Sequence, residues 1–323
     1  LLLPEEFGGF GLGFAEARVV IEGLAAQLAP EPMVPVAVLA AGALRRCAQS
    51  VQRDELLTAV AAGTAVPGLV WQDVAGSLEL DSPPFTAAPA GDGWTLDGEA
   101  RFVRPGSGAT EYLLLASTPK GVALFAVAPG SSGLEVQHEV QADGTALARL
   151  KATQLSVNAG AALTLDRADL AATLDEALVM NAVELFALIV RMRAMTLDYL
   201  KTRMQFGKAI GSFQSLQHRS ADMLMQEELT RAVVGQAVAA LDADVSQHRR
   251  TSMASRAKAR AAEVAMSTAR EAIQMHGGIA VTDEYDLSLY VNRVLSLAPW
   301  LGNAQAHRRR YVRLNPPVAG SEG

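Results

Sequence analysis

Residues 199–218 read YLKTRMQFGKAIGSFQSLQH, and this stretch decides the fold. It joins two runs with helical apolar periodicity, and Gly207 and Gly211 permit a tight loop between them. Arg203 lies at the end of the first predicted helix, and Phe213 opens the second. A guanidinium beside exposed backbone amides is suited to holding a pyrophosphate. The alternative is an ordinary helix–loop–helix in which the helix dipole favours a C-terminal arginine.

A second stretch, residues 271–285, reads EAIQMHGGIAVTDEY. Gly277 and Gly278 end a predicted helix, and their missing side chains allow close backbone approach of another molecule. On its own, such a glycine pair is more typical of a helix C-cap than of a binding loop. His276 is then a hydrogen-bonded histidine at the helix end and nothing more.

The order of elements along the chain is helical, β and helical again. Residues 14–62 read as helices, and the pattern returns to helical after residue 166. Helices are predicted there over residues 169–203, 212–242, 252–276, 283–296 and 303–311, with Ser212 as the N-cap of the second. Long helices joined by brief loops predict an antiparallel bundle.

The middle of the chain consists of short β-rich runs separated by turn residues. Strands are predicted over residues 69–72, 94–97, 112–116 and 122–127, with further short strands between residues 147 and 163. The dipeptides Pro83-Pro84 and Pro129-Gly130 and the tripeptide at residues 91–93 are strong turn signals. Their spacing suits a compact antiparallel sandwich or barrel.

Composition narrows the class of protein. The chain has 323 residues, of which 50% are apolar and 19% are charged, so intrinsic disorder is excluded and two or three domains are expected. A net charge of −6 argues against a protein that binds nucleic acid through its overall field. Cys47 is the single cysteine, which favours a reducing cytoplasmic compartment. The five histidines are widely spaced, so no metal site is predicted, and no apolar run is long enough for a membrane span.

Together, the two glycine-containing stretches resemble the C-terminal domain of the acyl-CoA dehydrogenase family. There R-x-x-F-G-x-x-I-x-x-F-Q-x-x-Q-H precedes Q-x-H-G-G-x-G-x-x-x-E-Y. The matching residues are Arg203, Phe206, Gly207, Ile210, Phe213, Gln214, Gln217 and His218, then Gln274, His276, Gly277, Gly278, Glu284 and Tyr285. Residues 3–13, LPEEFGGFGLG, resemble the family's N-terminal P-E-E-x-G-G-x-G motif. The resemblance covers essentially the whole chain.

The resemblance implies an α+β multidomain fold. It comprises an N-terminal helical domain over residues 1–63, a middle β-sandwich or barrel domain over residues 64–168 and a C-terminal four-helix bundle over residues 169–323 that oligomerises. Because the sequence starts at Leu1 without a methionine, we expect further residues before it.

The resemblance also implies FAD as the cofactor, with its pyrophosphate reaching a neighbouring subunit. Arg203 and Phe206 would contact the adenine dinucleotide part of one FAD, and Gln274 and Gly278 would do so from a dimer mate. Phe102 falls where the family usually places an aromatic that stacks on the flavin; the alternative is a core phenylalanine of the β-domain. The full predicted set of cofactor-binding residues is Trp71, Gln72, Ser77, Phe102, Arg104, Arg203, Phe206, Phe213, Gln274, Gly277 and Gly278.

Two features of the β-domain depart from the family's pattern. The loop that usually reads T-E-P-x-x-G-S-D is QDVAGSLE at residues 72–79. Arg104 stands where a threonine usually hydrogen-bonds flavin N5. A cation near the ring would favour the reduced, anionic flavin; the alternative is an Arg104 side chain that points to solvent.

The family's catalytic base is missing from both of its usual positions. The reaction needs a glutamate that removes the Cα proton of an acyl-CoA while a hydride leaves Cβ for flavin N5. The position before a glycine in the late loop carries Leu301, and the alternative position in the first bundle helix carries Ala177. Glu184 lies seven residues after Ala177 on the same helix face, and it is the candidate base; its alternative is a buried, structurally hydrogen-bonded glutamate.

The sequence thus predicts a flavin-dependent acyl-CoA dehydrogenase that oxidises an acyl-CoA thioester to the 2-enoyl-CoA. An electron-transfer flavoprotein is the predicted acceptor, and a dimer or tetramer is the predicted assembly. Residues 199–218 look most like the small subunits of bacterial hetero-oligomeric members. The first alternative is therefore a non-catalytic partner subunit of a related chain, and the second is a flavin monooxygenase or oxidase on the same fold.

Overall fold

The N-terminal part of the chain is helical. The structure is a computed structural model that describes residues 1–316, so residues 317–323 of the predicted bundle domain lie outside the described residues. A 3₁₀ turn at Glu5–Phe7 precedes α1 (Phe14–Ala26), a π-helix (Met33–Ala40) that continues into α2 (Ala41–Arg46), and α3 (Val51–Ala61). Ser50 caps α3, because its hydroxyl oxygen accepts a hydrogen bond from the Arg53 amide at 3.2 Å.

The middle of the chain forms one eight-stranded sheet. Its strands are β1 (Pro67–Val70), β2 (Phe85–Ala90), β3 (Gly93–Val103), β4 (Glu111–Thr118), β5 (Gly121–Val127), β6 (Leu134–Val140), β7 (Ala146–Asn158) and β8 (Ala162–Thr164). Seven follow the order β6-β7-β3-β2-β4-β5-β8, and β1 pairs with β4 beside that path. The Phe125 ring meets the Trp94 ring edge-on, with centroids 5.7 Å apart, within the apolar core of the sheet.

The prediction of a purely antiparallel sheet is wrong along one side of strand β4. Both β1 and β2 pair with β4 in parallel: β1 lies along Glu111–Leu114 and β2 along Ala116 and Ser117. The opposite edge of β4 is occupied by β5, so β1 and β2 share one edge in succession. Residues 71–84 carry the chain back, so that β2 runs in the same direction as β1. Turn residues in the sequence do not reveal this connection.

The C-terminal part is helical, as predicted. It consists of α4 (Arg167–Thr202), a two-stranded hairpin of β9 (Met204–Gln205) and β10 (Lys208–Ala209), then α5 (Gln214–Asp242), α6 (Gln247–His276), α7 (Leu287–Leu297) and α8 (Ala304–Leu314). Among residues 1–316, no helix combines the length and apolar character needed to cross a bilayer.

Three predicted helix starts are wrong, and one of them is that of α7, which begins at Leu287 instead of residue 283. Ser212 is not an N-cap: its hydroxyl donates to the Ala209 carbonyl oxygen at 2.7 Å, and Phe213 occupies the cap position of α5. In α6 the hydroxyl oxygen of Ser246 accepts from the Arg249 amide at 3.3 Å, so this helix begins five residues before the predicted start at Ser252.

The chain forms two compact units. The sheet unit comprises Leu1–Ala17 and Pro30–Ala177, and the helical unit comprises Arg18–Ala29 and the described residues from Leu178 onward. Their boundaries fall inside α1 and α4, so the N-terminal helices α2 and α3 group with the sheet. The α+β class and the helical–β–helical order are confirmed, whereas the predicted domain limits at residues 63 and 168 stay predictions.

Two glycines of the sheet allow the effect of a steric clash on stability to be measured separately from the effect of backbone strain. A methyl group at Gly98 (φ 149°) would lie 2.2 Å from the Pro84 carbonyl oxygen, whereas one at Gly121 (φ 131°) would meet nothing within 4 Å. We expect Gly98→Ala to lower the free energy of unfolding by about 3 kcal/mol and Gly121→Ala by about 1 kcal/mol. Urea unfolding followed by tryptophan fluorescence measures both, and equal losses would contradict the role of the Pro84 contact.

Candidate functional site

The segment after α4 presents an arginine and an exposed aromatic ring. The Arg203 amide donates to the Tyr199 carbonyl oxygen at 2.9 Å, and the Ile210 amide closes the hairpin by donating to the Arg203 carbonyl oxygen at 2.9 Å. Phe206 and Gly207 form the two-residue turn, with φ values of 53° and 77°. Positive φ at both central residues gives a turn of the mirror-image type that suits hairpin twist. Arg203 is exposed.

The Phe206 side chain is 88% exposed at the tip of this hairpin. A phenylalanine in the left-handed region is an outlier, and it costs on the order of 1–2 kcal/mol. Its ring meets Phe213 edge-on at 6.0 Å between centroids, and the Lys208 ammonium lies 4.3 Å from the Phe213 ring centroid. The hairpin therefore holds a large apolar ring in the solvent at the cost of backbone strain.

The turn after α6 offers bare backbone. Gly277 has φ 69° and ψ −145°, and its amide donates to the Ile273 carbonyl oxygen. Gly277 and Gly278 are exposed, and a methyl group at either position would meet no atom within 4 Å. Gly278 has no positive φ among the described backbone angles, so its conformation does not require glycine. The neighbouring Gln274 side chain is also exposed.

An aromatic cluster joins the ends of α4 and α6. The His276 ring stacks on Tyr199, with centroids 4.5 Å apart and planes at 25°, and it lies 5.0 Å from the Tyr285 ring. Beneath it Leu200 and Met275 belong to one small apolar core. The structure therefore brings together, within the helical unit, the two helix ends from which the predicted binding segments start.

Only one of the two ring nitrogens of the buried His276 side chain has a hydrogen-bond partner among the described residues. Its Nδ1 lies 2.8 Å from the Ala272 carbonyl oxygen and must carry the proton, because a carbonyl only accepts. Its Nε2 is buried without a hydrogen-bond partner among the described residues, an arrangement that costs about 1–3 kcal/mol. Burial lowers the pKa of His276, which keeps the ring neutral near pH 7.

The predicted flavin loop of the sheet unit is assembled around Phe102. The Gln72 side-chain amide donates to the Gly76 carbonyl oxygen at 3.0 Å, and the Ser77 amide donates to an Asp73 carboxylate oxygen at 2.9 Å. A methyl group at Gly76 would lie 3.2 Å from the Phe102 ring. Phe102 itself has φ 65° and is half-buried. The structure therefore brings Gln72, Ser77 and Phe102 together.

Trp71 and Arg104 are buried in the same unit. Each side chain is 7% exposed, and Arg104 Nη1 lies 3.4 Å from the Thr145 hydroxyl. The alternative in which Arg104 points to solvent is therefore wrong, because its guanidinium is turned toward a polar group inside the β-domain.

Both usual base positions carry buried apolar side chains. Ala177 is 0% and Leu301 is 2% exposed, and Leu301 adopts a left-handed φ of 59°. In the sheet unit, the Glu176 carboxylate accepts two hydrogen bonds from Arg46, at 2.6 and 3.0 Å. In the helical unit, Glu184 accepts from the Asn181 amide at 3.2 Å and lies 3.7 Å from the Arg293 guanidinium. This environment gives Glu184 a structural reason for its burial, and its role as a base stays a prediction.

Lys258 is a buried charged residue that the sequence motifs did not indicate. Its side chain is 0% exposed, and its ammonium donates to Asn181 Oδ1 and to the carbonyl oxygens of Leu297 and Ala298, the latter two at 3.0 and 3.1 Å. His307 Nε2 lies 2.8 Å from the Leu301 carbonyl oxygen. Lys258 and His307 therefore fix the turn that carries Leu301. A signal existed: Lys258 sits at an inward position of the α6 periodicity set by alanines 254, 257, 261 and 265.

Among residues 1–316, no cluster of His, Cys, Asp and Glu side chains could hold a metal ion. The chemistry available at the surface segments is therefore cationic, aromatic and backbone-based. Arg203 offers charge for a phosphate, Phe206 offers an apolar face, and the Gly277–Gly278 turn offers close approach of the main chain.

Known proteins match these segments and the whole fold. A family model described as the acyl-CoA dehydrogenase C-terminal domain matches residues 169–313. The acyl-CoA dehydrogenase IpdE2 of Mycolicibacterium smegmatis is 30% identical over 315 residues, which cover 96% of this chain and 82% of that protein.

Two solved assemblies are similar over almost the full chain. A variant of the Tcur3481–Tcur3483 steroid ACAD has a TM-score of 0.85 and 30% identity, and the alignment covers 97% of this chain and 83% of that one. The ChsE4–ChsE5 complex from Mycobacterium tuberculosis has a TM-score of 0.86 and 27% identity, with 98% and 84% covered.

Replacing Lys258 by methionine tests the buried network. Methionine retains much of the apolar volume but leaves three acceptors without their donor. We expect Lys258→Met to lower the free energy of unfolding by about 3 kcal/mol. Lys201→Met is the matched control, because the Lys201 side chain is 73% exposed, and it should change stability little. Chemical denaturation of both variants measures the difference, and equal stabilities would contradict the network.

Stability should fall with acidity through His307. Burial lowers the pKa of His307 to about 3, so the folded state stays unprotonated while the unfolded chain takes up a proton below pH 6.5. The unfolded state is therefore favoured as the pH falls, by about 2 kcal/mol at pH 5. The difference between the urea midpoints at pH 7 and pH 5 should become smaller in His307→Gln, and part of the remainder comes from His276, whose pKa burial also lowers. The exposed His218→Gln control should retain the wild-type pH dependence, and an unchanged dependence in His307→Gln would refute the assignment.

Proposed function

This chain belongs to the acyl-CoA dehydrogenase family, and from that premise we propose that it is the base-less subunit of an FAD-dependent hetero-oligomer. The assembly would oxidise an acyl-CoA thioester to the 2-enoyl-CoA. This chain would supply part of the cofactor surface, and a related chain would supply the catalytic base. The observation that carries the proposal is the pair of buried apolar residues, Ala177 and Leu301, at both of the family's base positions.

The reaction cannot proceed from either of those positions. Removal of the Cα proton requires a carboxylate within hydrogen-bond reach of Cα, and an alanine or leucine side chain accepts no proton. Of the neighbouring carboxylates, Glu176 is engaged by Arg46, and Glu184 is engaged by Asn181 and Arg293. Both carboxylates therefore already have partners within this chain. These contacts support a base that comes from a second chain.

The surface of the helical unit suits a dinucleotide. Arg203 is an exposed cation at the root of a hairpin whose tip presents Phe206, and Gly278 offers open backbone beside Gln274. Arg203 would bind a phosphate group of one dinucleotide and Phe206 would pack on its apolar part, and Gly278 would allow main-chain contact from a dimer mate. Gln274 would donate a side-chain hydrogen bond.

The loop around Phe102 in the sheet unit suits a flavin ring. Gln72 and Ser77 place polar atoms beside the half-buried Phe102 ring, which provides an apolar face. When bound, FAD would accept the hydride from the substrate Cβ. The role of these side chains would be to orient the ring and to exclude water from it, and an electron-transfer flavoprotein is the proposed acceptor of the electrons.

The two similar assemblies support a second chain. Each is described by a pair of chain names, Tcur3481–Tcur3483 and ChsE4–ChsE5, and this chain is 30% and 27% identical to the matched subunits. A chain that lacks the catalytic glutamate is consistent with such a pair, because an active site needs a single catalytic carboxylate and the second chain can supply it. The substrate class that we propose for this chain is the acyl-CoA thioester of the family as a whole.

The visible spectrum under anaerobic titration with CoA thioesters tests the proposal. We expect no bleaching of flavin absorbance by this chain alone, and bleaching after it is mixed with a related chain that carries glutamate at the position of Leu301. Glu184→Gln in this chain should leave the bleaching rate of the mixture unchanged. If Glu184 were the base, that variant would slow bleaching by about a hundredfold or more.

Three outcomes would contradict the proposal. The first is bleaching by the isolated chain that Glu184→Gln abolishes, which would identify an autonomous dehydrogenase. The second is a protein that binds no flavin, alone or mixed. The third is oxygen uptake driven by NADH or reduced flavin, which would identify a monooxygenase on the same fold. Thermal unfolding of Glu184→Gln serves as the control for correct folding.

A further inference from the structure

One stack of two rings, which we call the brace, connects the two proposed dinucleotide-binding segments of the helical unit. One segment starts where α4 ends, at Arg203, and the other starts where α6 ends, at Gly277. The stack of the His276 ring on the Tyr199 ring lies between these helix ends, with 4.5 Å between centroids. Each of the two rings is close in sequence to a different segment, so the stack connects the segments directly.

We infer that His276 is a positioning residue that sets the placement of both the Arg203 hairpin and the Gly277–Gly278 turn, the two segments that would each contact an adenine dinucleotide, the glycine turn doing so from a dimer mate. The inference rests on the proposed function, and it assigns to His276 a role beyond that of a helix-end residue. His276 would not itself touch the dinucleotide. It would act through Tyr199 on one side and through its own peptide bond to Gly277 on the other.

The path from His276 to Arg203 consists of fixed contacts. The Nδ1 proton of His276 is bound by the Ala272 carbonyl oxygen, which sets the plane of the ring against α6. Tyr199 packs on that plane, and its own carbonyl oxygen accepts the Arg203 amide proton. A shift of Tyr199 therefore moves the root of the hairpin that carries Arg203 and Phe206.

A third ring limits how far the stack can move. The Tyr285 ring lies 5.0 Å from His276 and 6.1 Å from Tyr199, and its hydroxyl donates to the Met195 carbonyl oxygen at 3.3 Å. Tyr285 thus links the segment that follows the glycine turn back to α4. The stack is enclosed on one side by helix backbone and on the other by this ring.

The choice of histidine is costly at this position, which favours a specific role. A phenylalanine would stack on Tyr199 without burying a polar atom, whereas His276 leaves Nε2 buried and without a partner among the described residues. The histidine has one feature that phenylalanine lacks, the Nδ1 proton that ties the ring to Ala272. The tie fixes the ring's orientation, and placement within a fraction of an ångström is what a binding site requires.

The test uses His276→Ala, His276→Phe and the control Val264→Ala in the chain mixed with its base-bearing relative. Val264 is 2% exposed in the same helix, twelve residues before His276, so its truncation destabilises α6 without touching the stack. The first measurement is amide hydrogen exchange of the flavin-free chain over residues 203–213 and 277–281. The second is FAD affinity, read from the quenching of flavin fluorescence.

We expect His276→Ala to accelerate exchange in both segments and to weaken FAD binding by about tenfold or more, because small misplacements of binding groups have large effects. His276→Phe should restore only part of the affinity, since it keeps the stack but loses the tie to Ala272. Val264→Ala should leave both segments and the affinity unchanged even if it lowers the melting temperature as much as His276→Ala does.

Two results would overturn the inference. The first is faster exchange in the glycine turn alone after His276→Ala, which would show that the hairpin is positioned independently. The second is equal loss of FAD affinity in His276→Ala and Val264→Ala, which would reduce His276 to a stability residue. An absence of FAD binding in the wild-type mixture is a separate result, because it would contradict the proposed function even where the exchange pattern agrees with the brace.

Discussion

The packing of the end of α4 against the end of α6 is the constraint on which the helical unit's binding surface depends. Leu200 and Met275 are buried together there, and Tyr199 and His276 stack above them. A single arginine on a short hairpin would hold a phosphate poorly, because hairpins of this size are marginal on their own. Here the arginine directly follows the 36-residue α4, whose last turn packs on the end of α6, so the hairpin starts from a fixed point.

A second set of buried interactions stabilises the turn that carries Leu301, whose side chain cannot act as an acid or a base. Lys258 and His307 bind backbone carbonyls on either side of Trp300, and Leu301 is kept in a left-handed conformation between them. Burying an ammonium is costly unless each of its donors is satisfied, and here three acceptors are available. Under the proposed function, the chain would keep the backbone of the turn to which the resemblance assigns the base, with leucine in place of the glutamate.

Local signals predicted the tight loop after α4 and the glycine turn after α6, and they failed where distant segments decide the structure. Gly207 and Gly277 both adopt a positive φ, a backbone conformation that glycine itself indicates. The parallel pairing of β1 and β2 with one edge of β4 depends on where the intervening segment leads, which no turn residue records. Ser212 failed as a cap because its hydroxyl found a nearer carbonyl partner in the preceding turn.

The candidate site was predicted in part for the same reason. The matched motifs identified Arg203 and Gly278 by position, but the stack that braces them joins residues far apart in the sequence. The buried position of Arg104 likewise depends on Thr145, a residue of a different turn. The sequence did not indicate Lys258 because a charged residue on an alanine-rich helix is usually solvated, whereas here its carbonyl partners lie at the C-terminal end of α7.

The decisive experiment is a structure of the flavin-loaded assembly with a bound acyl-CoA analogue. We expect the Arg203 guanidinium to lie against a phosphate of the dinucleotide, and the carboxylate nearest the substrate Cα to belong to another chain, while Leu301 makes only apolar contacts. A structure in which Arg203 and Gly278 both face bulk solvent, or in which Glu184 has left Arg293 to approach Cα, would contradict this expectation.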